Sequence, residues 1–309
     1  MRLLLCLLLF ACAKMHAAPV TALAFSPDGA SLVAAAGDKV LLRSPDTGNA
    51  LDAIPCAGMR VATLAFSPDG TLLAVGGGTP GEKGEVRLLD WPHRKWLGAF
   101  AANHDLITSV AFSPDGQRLA TACADNTARI HAIEDRGQRL TEQRVLTGHS
   151  SSVQAVAFST DGALVVTASM DRSIKVWSAA DGKLLRSLGQ HTDAIQCLAF
   201  RPLSAGQPQC ATAGDDRTVR VWQPAIGRMV RIVRGHESPI LALAFASDGR
   251  SLFSAGQEGI VRQIDADSDA VLSQWQASTD WIHSLVISPD GRHLATGDWA
   301  GHVSVKAIR

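Results

Sequence analysis

Val20–Gly29 reads VTALAFSPDG, and the same phrase returns as VATLAFSPDG at Val61–Gly70 and ITSVAFSPDG at Ile107–Gly116. Looser copies follow at Val153–Gly162, Ile195–Pro202, Ile240–Gly249 and Ile282–Gly291. The aligned residues Phe25, Phe66, Phe112, Phe158, Phe200, Phe245 and Ile287 lie 41, 46, 46, 42, 45 and 42 residues apart. A repeat at that period is the mark of a stacked array, because one short unit cannot bury its own apolar face. Within each copy an apolar strand ends at the aromatic residue. S-P-D-G then turns the chain, with proline presetting φ and glycine accepting positive φ. In the fourth copy ALVVTAS (Ala163–Ser169), SIKVW (Ser173–Trp177) and LLRSL (Leu184–Leu188) follow as three more strands separated by polar or Gly-containing turns. Four short strands every forty-odd residues predict an all-β, seven-bladed β-propeller of four-stranded antiparallel blades over residues 19–309.

Composition agrees with a folded chain. Of 309 residues, 46% are apolar and 19% charged, and 29 Lys and Arg balance 29 Asp and Glu. Zero net charge excludes a general nucleic-acid binder or a polybasic membrane binder, both of which need an excess of positive potential. Tyr is absent, so aromatic surface must come from 7 Trp and 9 Phe.

Met1-Arg2 followed by LLLCLLLFA and by Ala11-Cys12-Ala13 reads as a secretory signal over residues 1–18, cut after Ala13. It is too short for a membrane span, which takes about 20 apolar residues. Two alternatives stand beside this. Cys12 is the acylated residue of a lipoprotein, or residues 6–14 close the ring as the outer strand of blade seven. Export places the protein in the periplasm or outside the cell; retention places it in the cytoplasm. Register favours closure, since His16 precedes Val20 by four residues as His149 precedes Val153. The unbroken apolar run favours a leader, since outer strands alternate and keep a wet face. The cysteines form no C-x-x-C pair, which leaves zinc and covalent haem without support. Cys197 and Cys210, on successive strands, are either a disulfide or two small core residues.

The chain resembles the WD-repeat family. Gly148-His149 and Gly235-His236 match its G-H dipeptide, His191 matches the histidine alone, and His104 lies near that position in the third copy. Trp177 and Trp222 match the third-strand Trp, and Asp125, Asp171 and Asp216 match the Asp of the turn before it. Glu258 replaces that Asp in blade six, and Ala300 and Lys306 stand at the Asp and Trp positions of the last copy. The resemblance implies that His149, Thr167, Asp171 and Trp177, and likewise His191, Thr212, Asp216 and Trp222, are internal hydrogen-bond networks. His, hydroxyl and Asp together imitate a catalytic relay. Their recurrence in register speaks for structure, because one active site needs one copy. No catalytic residue, metal or cofactor is expected.

Two further stretches have plain structural readings. Gly76–Gly84 lacks the ending of a phosphate loop and reads as a flexible turn extension rising on the ring face. The five arginines from Arg217 to Arg234 alternate with apolar residues and read as a solvated edge.

The family's contact positions lie beside each first strand and just before the turn Asp. Carried over, they include Thr21, Arg60, Met170, Asp215, His283, Trp281 and Trp299. Two Trp at such positions in one blade are costly to expose, and Trp is enriched at binding hot spots. The expected partner is therefore a protein or peptide seated on Trp281 and Trp299. The SPDG turns and GTPGEKGEVRLLD (Gly78–Asp90) are similar to propellers that accompany bacterial periplasmic c-type cytochromes, which points to an envelope scaffold with a redox protein as partner.

Overall fold

The computed structural model describes residues 17–202 and 207–308. Their strands form six four-stranded antiparallel sheets and one three-stranded sheet, each meandering in sequence order. These are seven blades: Val20–Pro55, Arg60–Asn103, Ile107–Leu146, Val153–Leu188, Ile195–Val233, Ile240–Gln276 and Ile282–Ala307. The only helical turn among the described residues is the short 3-10 segment Asp135–Gly137. Residues 6–14, read as leader or as closing strand, lie outside the described residues.

The inner strands of each blade bury on both faces. Leu32–Ala36, Cys210–Gly214 and the second strands of the other blades are almost wholly buried, whereas the outer strands Ala50–Pro55, Leu184–Leu188 and Val271–Gln276 are mostly exposed. Hydrophobic clusters bridge blades rather than fill them: Val33, Val40, Val61 and Leu73 join blades one and two, and Ala120, Ile130, Val153 and Val165 join three and four. Each blade thus supplies its neighbour with the apolar face that neither can bury alone. Burying one Val or Leu stabilises by about 1.5–3 kcal/mol.

The repeated S-P-D-G turns also touch in series. A Cβ added at Gly70, Gly116 or Gly162 would meet the proline ring of Pro27, Pro68 or Pro114 in the preceding blade, and one at Gly29 would meet Pro289 of blade seven. The turn serine is buried in five copies, and its hydroxyl meets the turn aspartate, as Ser67 meets Asp69 at 2.6 Å.

Two expectations need correction, and one open alternative is decided in favour of core residues. Gly76–Gly84 is not a flexible extension. Leu72–Thr79 and Lys83–Asp90 are paired strands, and a Cβ on Gly77 would lie 2.0 Å from the Arg60 carbonyl oxygen; Gly76, Gly78 and Gly84 are crowded in the same way, so these four glycines are required by close packing. The hairpin tip leans toward blade three, where Gly81 N–H donates to Asp105 Oδ1 at 2.7 Å. The arginines of blade five are not uniformly solvated either: Arg220 is buried, because its guanidinium is drawn inward by Asp216. The two cysteines do not meet. Cys197 pairs with Ala213 and Cys210 with Phe200, three residues out of step and so on opposite faces of the sheet, and both thiols are free.

A chain of arginines links the blades from three to six. Arg118 donates to Ala179 O at 2.7 Å, Arg186 to Ala225 O at 3.1 Å, Arg201 to Gly249 O at 2.7 Å and Arg231 to Ala266 O at 2.9 Å. Each reaches the following blade. None of these four bonds crosses from blade six to seven or from seven to one.

Candidate functional site

The expected networks form. In blade four Trp177 Nε1–H donates to Thr167 Oγ1 at 2.9 Å, the hydroxyl lies 2.7 Å from His149 Nε2, and His149 Nδ1–H donates to Asp171 Oδ2 at 2.8 Å. Ser150 N–H and Ser173 add further donors to the same carboxylate. Burial alone would raise the Asp171 carboxyl, but Ser173, His149 and the backbone donors outweigh it and hold it at about 2. Blade five repeats the set, with His191 Nδ1 at 2.7 Å from Asp216 Oδ2, Thr212 Oγ1 at 2.8 Å from His191 Nε2, and Trp222 Nε1 at 2.8 Å from Thr212. Asp216 is held still lower, burial again being overcome by His191 and Thr218. Every hydroxyl in these chains is spent on an internal partner, and none faces a cleft. Each chain of bonds ties strands together inside its own blade.

The departures have physical reasons. In blade three Asn103, not His104, occupies the histidine position. Its side chain is buried and reaches Thr127 Oγ1 at 3.3 Å and Thr121 Oγ1 at 3.4 Å, while His104 contributes only its backbone N–H to Asp125. Counting four residues back from Ile107 finds Asn103, and that spacing was the available signal. His131 stands in for the Trp and lies 3.3 Å from Thr121; burial, and then Arg129, push it down to about 4. In blade six Glu258 is one methylene too long. Its carboxylate turns to the N–H groups of Glu237 and Ser238 and to Arg262 at 2.6 Å, which leaves His236 Nδ1 buried without a partner. In blade seven Asp298, two residues before Ala300, accepts from Ser278 Oγ at 2.6 Å. Sequence reading missed this buried carboxylate because it stands outside the family's register. It also missed the basic residue four positions after the turn acid: Arg129, Lys175, Arg220 and Arg262 are all buried, and the three arginines face that acid.

Of the remaining predicted residues, Thr21 and His283 line the central channel, a cavity of about 330 Å³ that Gln154, Gln196 and Leu241 also line; Asp215 reaches it through Gln196, and Trp281 and Trp299 through His283. Trp281 and Trp299 are 44% and 48% exposed, so neither fills the vacant position inside its own blade. Their ring centroids are 6.2 Å apart, and His283 packs beside both, at 5.1 Å from Trp299 and 6.4 Å from Trp281. Trp299 N–H donates to Trp281 O at 2.9 Å, which ties the two backbones together. Burial, partly offset by Asp280, lowers the His283 imidazole, so the cluster carries no charge of its own at neutral pH. The other predicted positions divide. Met170 is exposed and Arg60 is open to solvent, whereas the Thr21 hydroxyl is spent on Val61 O at 3.1 Å and links blades one and two. Asp215 accepts from Gln196 at 3.1 Å on both oxygens; burial and then the nearby carboxylates Asp193 and Asp216 raise it. No group of three or more His, Cys, Asp or Glu able to hold a metal occurs among the described residues. No described helix is long and apolar enough to cross a membrane.

A seven-bladed ring with internal His–Asp networks and an exposed aromatic cluster at the channel mouth defines a propeller of the recognition class. The WD domain, G-beta repeat signature matches residues 9–42, 95–131, 140–178, 182–223, 227–265 and 270–305, and the chain belongs to the WD-repeat family. Propellers of this family are protein-interaction scaffolds. Over 206 residues the chain is 32% identical to the nuclear distribution protein PAC1 of Arthroderma benhamiae and to that of Trichophyton verrucosum, which covers 65% of this chain and 35% of each relative. It is 30% identical over 116 residues to echinoderm microtubule-associated protein-like 2 of Rattus norvegicus, covering 38% of this chain and 17% of that protein. The chain therefore spans about a third or less of these curated relatives.

Proposed function

We propose that this propeller is a non-catalytic scaffold that binds a protein or peptide at the channel mouth, with Trp281 and Trp299 as the anchor. The observation that carries the reading is the exposure of two mutually packed indoles in one blade. Large aromatic side chains bring contact area at little entropic cost, which is why they dominate binding energy. His283 stiffens the pair from below, and Met170, Arg60 and Asp215 surround the same mouth as rim contacts. The full set of spent hydroxyls in the networks supports a role without chemistry. An address in the bacterial envelope and a redox protein as partner rest on the residue 1–18 pattern and on the cytochrome-associated likeness. The mass of the mature N-terminus tests that address.

The binding site is tested by affinity capture from the native host with wild-type protein and with Trp281→Ala and Trp299→Ala. The expected outcome is loss of the captured partner by at least tenfold in affinity, with melting temperatures unchanged. Wild-type affinity in both variants refutes the site.

A further inference from the structure

The outer strands carry a second feature that the channel mouth does not explain. Where the third and outer strands pair, the register slips by one residue in each of the six four-stranded blades. Such a bulge bends the strand and re-aims the side chains at it. In blade four Trp177 pairs with Leu184 and Val176 with Arg186, so Leu185 is the extra residue. Leu184 and Leu185 are left 42% and 45% exposed. Ile226, in the turn of blade five, is 52% exposed. Arg186 joins the two sites: its Nε–H donates to Ala225 O at 3.1 Å, and its Cδ lies 2.8 Å from where a Cβ on Gly227 would stand.

Three exposed aliphatic side chains on one rim exceed what a solvated strand edge needs. The charges around them are mainly of one sign. Lys183, Arg186 and Arg228 are exposed and, among the described residues, form no ion pair within 4 Å, Asp181 being the acid that Lys183 faces; the bond from Arg186 goes to a neutral carbonyl. The nearest acid in sequence, Asp181, accepts the backbone N–H of Lys183. In blade one, by contrast, the bulged Leu51 is followed by an acid, Asp52, which faces Arg94.

We infer that the outer rim of blades four and five, centred on Leu184, Leu185 and Ile226, is a second docking surface, and that its occupant is a protein segment combining apolar with acidic residues. Apolar contact supplies affinity, and the cationic rim selects an acidic partner and speeds its approach. A lipid surface fits less well, because the whole chain has zero net charge and the rim offers three aliphatic side chains with no aromatic belt. The surface is independent of the channel mouth.

The test uses the full chain and a labelled helical peptide of Leu and Glu, with leucines four residues apart, beside the same peptide with Lys in place of Glu. Binding is read by fluorescence anisotropy at low and high salt. The acidic peptide is expected to bind at least tenfold tighter than the basic one and to weaken with salt. Leu185→Ser with Ile226→Ser, and separately Lys183→Glu with Arg228→Glu, should each weaken it about tenfold. Trp281→Ala should leave it unchanged, which separates this surface from the channel mouth. All these side chains are exposed, and unchanged melting confirms that the variants fold. Equal binding of the two peptides, or of wild type and variants, overturns the inference. So does binding to phosphatidylserine vesicles that the same variants abolish, or a self-association that they abolish.

Discussion

Asp216→Asn is the most informative single change in the ring. The Asp216 side chain is 1% exposed and accepts from His191 Nδ1, Thr192 N, Thr218 N and Oγ1, and Arg220 Nη2, all at 2.7–3.2 Å. Asparagine keeps one oxygen for Thr218 but removes the charge that faces His191 and Arg220. Arg220 is then a buried cation without a counter-ion, and breaking such a pair costs about 3 kcal/mol. For a chain of this size that is a fall in melting temperature of about 6 °C, at about 2 °C per kcal/mol. The folded carboxyl is held far below its ordinary value, so its contribution is complete at neutral pH and is lost only as the pH falls through that depressed value. The deficit of the variant should therefore be full at pH 7 and shrink in strong acid. Asp215→Asn is the control. The neighbouring carboxyl is raised, so the folded ring disfavours its charge, and removing that charge should leave stability unchanged or slightly higher. Thermal melts followed by circular dichroism at several pH values decide the matter. If Asp216→Asn melts within about 1 °C of wild type, or Asp215→Asn falls as far, the network is not what holds blade five.

Further outcomes follow from the same geometry. His131 and His236 are pushed down by burial and by nearby arginines from 6.5 to about 4, so the folded state binds fewer protons than the unfolded one in that range. Stability should fall as the pH drops from 6.5 to 4, and denaturant titrations that are flat there would refute it. Glu258→Asp should give His236 Nδ1 its missing acceptor, raise the imidazole pKa toward its ordinary value and stabilise by about 1 kcal/mol, read by NMR titration and melting. Burial raises the thiols of Cys56 and Cys123 to about 11 and 12 and those of Cys197 and Cys210 further, so none of the four should react with a thiol reagent at pH 8 until the protein unfolds.

Repetition made the architecture legible. Seven copies of one phrase located each first strand and turn, and the strands assigned to Leu184–Leu188 and around Val176 form where alternation put them. The complete networks were legible for the same reason, since Thr, Asp and Trp recur at fixed offsets and His stands four residues before the first strand of each of these blades. What stayed hidden depends on neighbours in space. Nothing along the chain says that Glu258 overshoots His236, that Asp298 substitutes from outside the register, or that Arg220 turns inward. The Gly76–Gly78 run looked permissive because glycine is permissive. Only the Arg60 carbonyl and the side chains of Thr63, Ile107 and Val110 reveal that it is an obligation of packing. The aromatic cluster was legible too, because Trp281, His283 and Trp299 stand at contact positions of one blade.

The arginine links would give the two proposed docking surfaces different entropic starting points. The rim of blades four and five belongs to the stapled arc, so a ligand there meets a surface already fixed and forfeits little freedom in the protein. The indole pair sits on blade seven, next to joints that none of those links crosses. A partner bridging Trp281 to blade one would itself become part of the fastening. On the two proposals above, binding at the channel mouth is expected to couple to the rigidity of the ring more than binding at the rim does, which hydrogen exchange with and without each ligand would read.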